Sequence, residues 1–95
     1  MTADTMSLTD RPRRNPDCAY REIGDEGGLV VLPGRSEVKV LNPAGLRIYS
    51  LLDGRKTVEE IVAAVTSEFE VPAETARKDV QAFLGELAAH GMLGT

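Results

Sequence analysis

The side chains with the chemistry for catalysis or ligand binding are one histidine, one cysteine, a set of carboxylates and a cluster of arginines. His90 stands at the predicted end of a helix, where the negative end of the helix dipole favours an imidazolium, so a structural or solvated role is sufficient for it. Cys18 has no basic neighbour closer in sequence than Arg21 to stabilise a thiolate. A single cysteine forms neither an internal disulfide nor a cysteine-based metal cluster, and the expected compartment is therefore the reducing cytoplasm.

The carboxylates follow helical sequence and are expected to form a solvated face. They are Glu59, Glu60, Glu68, Glu70, Glu74 and Asp79. The pair Asp25-Glu26 lies in a glycine-rich turn but lacks the further oxygen ligands of a calcium loop. No phosphate-binding glycine motif is present. The sequence therefore predicts no metal site and no enzyme.

Charge and composition limit the partners and place the domain boundary. The chain has 95 residues, with 11 basic and 15 acidic side chains and a net charge of −4, the wrong sign for neutralising phosphates. The basic cluster Arg11-Pro12-Arg13-Arg14 is interpreted as a flexible charged arm, or as a weak contact to an acidic partner. Because residues 1–16 have few apolar side chains, we expect them to be a disordered tail and residues 17–95 to form one domain.

The first half of the domain has the pattern of three short strands. Residues 19–23 alternate weakly, and an apolar run at residues 29–32 ends at Pro33-Gly34. Residues 37–41 alternate with period two. We therefore predict a three-stranded antiparallel meander with one face that must pack on another element.

The second half has the pattern of three helices. Asn42 caps the first and Pro43 takes its first position, and Thr57 to Glu60 form a capping box for the second. The third runs from about Ala73 to His90 and ends at Gly91. An apolar face is predicted for each of the three helices. The residues of these faces are Ala44, Ile48, Leu51 and Leu52 in the first helix, Val58, Ile61, Val62, Val65 and Phe69 in the second, and Ala76, Val80, Phe83, Leu84, Leu87 and Ala88 in the third. This order predicts an α+β fold like a winged helix-turn-helix.

An ordered set of short motifs from about residue 17 to residue 94 resembles the PqqD-like family, named for pyrroloquinoline quinone synthesis protein D. The motifs are Leu41-Asn42, Gly45, Ile48-Tyr49, Leu51-Leu52-Asp53-Gly54, Thr57-Val58-Glu59-Glu60-Ile61-Val62, Asp79-Val80, Phe83-Leu84, Leu87 and Gly91-Met92-Leu93. Tyr49 stands where the family usually has Trp, and Pro72 stands where it usually has a capping Asp or Ser. The resemblance implies the predicted fold and a peptide-recognition role in pathways that modify ribosomally made peptides.

The third strand is the expected binding surface. In a meander it has a free edge, and free edges attract another strand. The resemblance implies that the leader of a precursor peptide adds to this edge beside the third helix, with no cofactor in the module itself, and is presented to a separate modifying enzyme such as a radical S-adenosylmethionine (SAM) protein. The predicted peptide-binding residues are Glu37, Val38, Lys39, Val40, Leu41, Ala76, Arg77, Val80, Gln81 and Leu84. For Val80 and Leu84 a purely structural place in the core is the alternative.

Two other functions remain open from the sequence. A scaffold domain would bind a folded partner, or its own copy, through the same edge. A winged-helix DNA-binding regulator would read a groove with its third helix, where Arg77, Lys78 and Gln81 are offset by neighbouring carboxylates.

Overall fold

The computed structural model describes residues 7–94 and has the predicted order of three strands followed by three helices. The strands are β1 (Ala19–Glu22), β2 (Gly28–Leu32) and β3 (Glu37–Leu41), with a short 3₁₀ turn over Pro33–Arg35. The helices are α1 (Pro43–Ser50), α2 (Val58–Phe69) and α3 (Ala73–Ala89). The predicted fold class is confirmed. Within residues 7–94, none of the helices is long and apolar enough to cross a membrane.

The sheet is an antiparallel meander in the order β1-β2-β3, which leaves β1 and β3 as its edges. Its register pairs Tyr20 with Val30 and Val30 with Lys39. Side chains alternate between the faces of a strand, and in β2 Val30 and Leu32 are buried. One face of the sheet therefore packs on the helices, and the core lies between them.

Local sequence signals set the ends of the helices. The Asn42 side chain accepts a hydrogen bond from the Gly45 N–H (2.7 Å), and both bonds of the capping box between Thr57 and Glu60 are present. At the end of α3, the Met92 N–H donates to the Leu87 carbonyl (2.8 Å) in the predicted Schellman geometry. These caps confirm the predicted boundaries to within one or two residues.

The helix faces agree with the predicted pattern except at the periphery. The three valines and the isoleucine of α2 are buried, as are Ala76, Val80, Leu84 and Leu87 in α3. Phe69, however, is 39% exposed at the last position of α2, Phe83 is half-buried, and Ala88 is exposed. Pro72 supplies no side-chain cap, yet its carbonyl accepts the Ala76 N–H (2.9 Å), so α3 still begins at Ala73.

The described part of the N-terminal segment, residues 7–16, differs from the expected disordered tail. Its backbone pairs with the loop after α1 and with the C-terminal residues: the Arg14 N–H donates to the Leu52 carbonyl (3.0 Å), and the Gly94 N–H donates to the Arg13 carbonyl (2.8 Å). Farther along, the Val58 N–H at the start of α2 donates to the Asp10 carbonyl (2.9 Å). The segment is therefore held by backbone hydrogen bonds, which composition does not reveal. Residues 1–6 lie outside the described residues.

The arginine cluster is also partly built into the fold. The Arg14 guanidinium donates to the carbonyls of Tyr49 and Ser50 at the end of α1 (3.2 and 2.9 Å) and lies over the Tyr20 ring, 5.2 Å from its centroid. A cation at a helix C-terminus is favoured by the helix dipole. Arg14 is therefore held in the folded domain and does not belong to a flexible arm. Pro12, in the same cluster, is buried.

Candidate functional site

The hydrogen bonds of the β1–β2 hairpin show which way the backbone of β2 points. The Ile23 N–H donates to the Gly27 carbonyl (2.7 Å), so residues 23 and 27 form a hydrogen-bonded pair. Such pairs alternate along an antiparallel ladder, and Arg21–Leu29 and Ala19–Val31 are therefore the next ones in the register. Because the N–H and C=O of one strand residue point to the same side, the backbones of Gly28, Val30 and Leu32 point toward β3.

The register then assigns the two sets of backbone groups in β3. The partners of Gly28, Val30 and Leu32 are Leu41, Lys39 and Glu37, whose N–H and C=O groups are directed inward to β2. The position of the Leu41 carbonyl agrees, since a Cβ atom added to Gly27 would collide with it. Val38 and Val40 therefore present their N–H and C=O groups to the free edge. These are the groups with which an added strand would pair.

The side chains of β3 alternate in the same way between the two faces of the sheet. Val38 and Val40 are 60% and 77% exposed, which places them on the face away from the helices. Glu37, Lys39 and Leu41 face α3. Lys39 Nζ forms an ion pair with Glu86 of α3 (2.9 Å). Glu37 lies within hydrogen-bond distance of Nδ1 of His90, the C-cap residue of α3 (2.9 Å).

A cleft of about 320 Å³ lies between the β3 edge, the start of α1 and α3; we call it the β3–α3 cleft. Its lining residues are Lys39, Val40, Leu41, Asn42, Ala44, Gly45, Ile48, Asp79, Phe83 and Glu86. α1 packs closely on α3 at Gly45, where an added Cβ atom would be in ordinary van der Waals contact with Phe83 Cζ, 3.5 Å away. The buried side chains of Leu41 and Ile48 contribute apolar lining. A second concavity beside Glu37, Val38 and His90 shares Lys39 and Val40 with the cleft, so the hollow follows β3 along its length.

The charges around the β3–α3 cleft leave one carboxylate unpaired. Lys39 and Glu86 neutralise each other across the cleft. Asp79 lines the same cleft, and within residues 7–94 no cation lies at ion-pair distance from it. The flank of α3 that faces the sheet edge is therefore slightly acidic, which disfavours nucleic acid as its ligand.

The predicted site residues divide into two groups in the structure. Residues 37–41 all lie along the free edge, as predicted. Ala76, Val80 and Leu84 lie in the core, with exposures of 1% or less, which is the placement that the structural alternative expects for Val80 and Leu84. Arg77 and Gln81 are not among the residues that line the cleft, because the 100° turn per residue places them on the opposite flank of α3.

Sequence reasoning missed the residues of α3 and of its C-cap that border the β3 edge. These are Asp79, Phe83, Glu86 and His90. Their spacing of i, i+4, i+7 and i+11 is that of one helical stripe. The sequence signal for these residues was a stripe of mixed polar and apolar residues that adjoins the buried face of the third helix. The sequence alone does not say which flank of that helix meets β3.

The other edge of the sheet, at β1, also borders a concavity. A concavity of about 410 Å³ lies beside β1 and α1. However, the Tyr20 ring on this edge lies under the Arg14 guanidinium and packs edge-on against Tyr49, with ring centroids 5.3 Å apart. Arg47 in the same concavity is held by two hydrogen bonds to Glu68. All four residues of β1 are nevertheless exposed, so this edge is open as well.

Comparisons with known proteins agree with this architecture. The family model described as coenzyme PQQ synthesis protein D (PqqD) matches residues 28–93. The PqqA binding protein of Gluconobacter oxydans (strain 621H) is 41% identical over 56 residues, which are 59% of this chain and 58% of that protein. The match therefore spans less than two thirds of that relative's length.

Two solved structures have the same fold. The structure of TbiB1 in complex with the TbiA(beta) leader peptide is 32% identical, with a TM-score of 0.74 over 85% of this chain and 93% of that one. The PqqD truncation of Methylobacterium extorquens PqqCD, described as a stand-alone recognition element for ribosomally synthesised and post-translationally modified peptides, is 21% identical. Its TM-score is 0.79 over 99% of this chain and 100% of that one. At this identity the second likeness concerns the fold alone.

Proposed function

Because this chain belongs to the PqqD family, we propose that it is a non-catalytic peptide-binding module that holds the leader of a ribosomally made precursor by strand addition to β3. The single observation that carries this proposal is the orientation of the β3 backbone. Val38 and Val40 direct their N–H and C=O groups to a free edge that runs along a cleft. In strand addition, these backbone groups supply affinity and the adjoining pockets supply sequence choice.

The surroundings of the edge support the same proposal. Val38 and Val40 are the two most exposed large apolar side chains of the described residues, at 60% and 77%. β-Branched residues pack well against a neighbouring strand. A bound peptide would cover them, and its other side chains would enter the β3–α3 cleft.

A displayed library of random twelve-residue peptides tests the proposal without knowledge of the natural precursor. The full chain should select peptides whose binding is lost in Val40→Pro, because proline removes an outward N–H. Val40→Thr is the matched control, since it keeps both the N–H and a β-branched side chain, and it should bind normally. Circular dichroism should show that both variants are folded. If Val40→Pro binds the selected peptides like the parent, strand addition at β3 is wrong.

The proposal also includes a partner enzyme. We propose that the bound leader presents the following segment of the precursor to a separate modifying enzyme, such as a radical SAM protein, in the cytoplasm where precursors are made. A sheet-edge site supports this role because it holds a peptide at one segment and leaves the rest of the chain accessible. With a cognate pair, kcat/KM of the enzyme should rise on addition of this protein, and Val40→Pro should remove the increase.

A further inference from the structure

We propose that the β3–α3 cleft selects a lysine or arginine in the bound peptide, with the stem of that side chain on Phe83 and its charge at Asp79. This inference rests on the proposed strand addition and specifies the chemistry of the ligand. It follows from the alternation of β3 and from the one unpaired carboxylate of the cleft.

The register of β3 determines which peptide side chains enter the cleft. An added strand pairs with the backbones of Val38 and Val40, and side chains level with these two valines lie on the same, outer face. Peptide residues level with Lys39 and Leu41 therefore point toward α3. The peptide side chain level with Lys39 meets the Lys39–Glu86 ion pair, whose charges already neutralise each other. The peptide side chain level with Leu41 meets the end of the cleft beyond that ion pair.

Distances along the two elements place Phe83 and Asp79 at that end. Two strand residues advance about 7 Å from Lys39 to Leu41. Along α3 from Glu86, Phe83 lies about 4.5 Å away and Asp79 about 10.5 Å away, at 1.5 Å per residue. Phe83 is therefore almost level with Leu41, whereas Asp79 lies a few ångströms beyond. A long side chain from the Leu41 level is needed to reach Asp79.

Lysine and arginine match this combination of an apolar path and a terminal negative charge. Their methylene stems lie along apolar surface while the charged group stays in water. The path is provided by Leu41, Ile48 and the half-buried Phe83, whose ring can also attract a cation. Asp79 accepts the charge-assisted hydrogen bond at the end of the path. An aspartate or glutamate at the same position would be repelled.

This geometry predicts a short sequence pattern in the bound peptide. Residues level with Val38 and Val40 are apolar, the residue between them is unrestricted, and the next is basic. The pattern is thus apolar, any, apolar, basic. It is read in one direction or the reverse, depending on the orientation of the added strand.

The library of random twelve-residue peptides on the full chain tests this pattern. We expect enrichment of lysine or arginine beside the apolar pair among peptides whose binding requires the Val40 N–H. For a selected peptide, Asp79→Asn should weaken affinity about fivefold, the range for a partly exposed ion pair. Glu74→Gln is the matched control, because it makes the same charge change on α3 outside the cleft, and it should leave affinity unchanged.

The outcomes separate this inference from the proposed function. If the selected peptides depend on Val40 but have no basic residue at this position, or if Asp79→Asn and Glu74→Gln have equal effects, the basic subsite is wrong and strand addition stands. If the selected peptides bind independently of Val40, the proposed function itself is wrong. Restored affinity when the Asp79→Lys variant is paired with a peptide carrying glutamate at the basic position would establish direct contact.

Discussion

At the residue scale, the buried hydroxyl of Tyr49 links α1 to the C-terminal residues. It donates to the Met92 carbonyl (3.1 Å), and burial raises the pKa of this phenol, so it stays protonated as a donor. Tyr49→Phe should lower the free energy of unfolding by about 1 kcal/mol. The cost stays modest because the Met92 carbonyl also accepts the Asn15 N–H (3.2 Å). Urea unfolding measures this loss of stability. Peptide affinity should not change, and a change in affinity would show that Tyr49 contributes to the peptide site.

At the scale of the element, the N–H groups of β3 alternate between β2 and the free edge, so proline substitutions at two adjacent residues should have opposite results. Lys39→Pro removes an N–H directed at β2 and should destabilise the fold by several kcal/mol, because a ladder hydrogen bond is lost. Val40→Pro removes an N–H directed at the edge and should leave the fold intact. Thermal unfolding followed by circular dichroism distinguishes them. Equal loss of stability in both variants would show that the assigned register is shifted.

The capping box of α2 gives a second test at this scale. The Thr57 hydroxyl accepts the Glu60 N–H (3.1 Å), and Thr57→Ala should cost about 1 kcal/mol because that donor loses its partner. The start of α2 lies outside the β3–α3 cleft, so peptide affinity per folded molecule should be unchanged. Thr57→Ser keeps the hydroxyl and should retain most of the stability. Weaker peptide binding by folded Thr57→Ala would include this terminus in the site.

At the scale of the whole molecule, residues 8–16 tie together elements that are far apart in the chain. Their backbone bonds connect the loop after α1, the start of α2 and the C-terminal residues. Removal of residues 1–16 should therefore lower the thermal midpoint by more than about 5 °C, since 1 kcal/mol corresponds to about 4–8 °C in a domain of this size. A chain that begins at Ser7 is the matched control, because it keeps these bonds. An unchanged midpoint would mean that the segment contributes no stability.

The sequence by itself determined the elements of this protein, because their signals are local. Each helix boundary depends on contacts within a few residues, made by Asn42 and Pro43, by the Thr57–Glu60 capping box and by Gly91. Alternation or helical periodicity marks the apolar faces. The free edge of β3 also followed, since a meander of three strands has only two edges. The location of residues 37–41 along that edge was therefore predictable.

Only the tertiary structure decided what depends on contacts between distant residues. The backbone direction of Val40 required the ladder across two hairpins. The placement of Phe83 and Asp79 at the β3–α3 cleft, and of Val80 and Leu84 in the core, required the rotation of α3 against the sheet. The N-terminal segment is ordered by backbone hydrogen bonds, which any sequence can make and composition does not show. Local patterns specify the elements, whereas the proposed site lies where β3 and α3 meet, and the packing of the whole domain determines how these two elements meet.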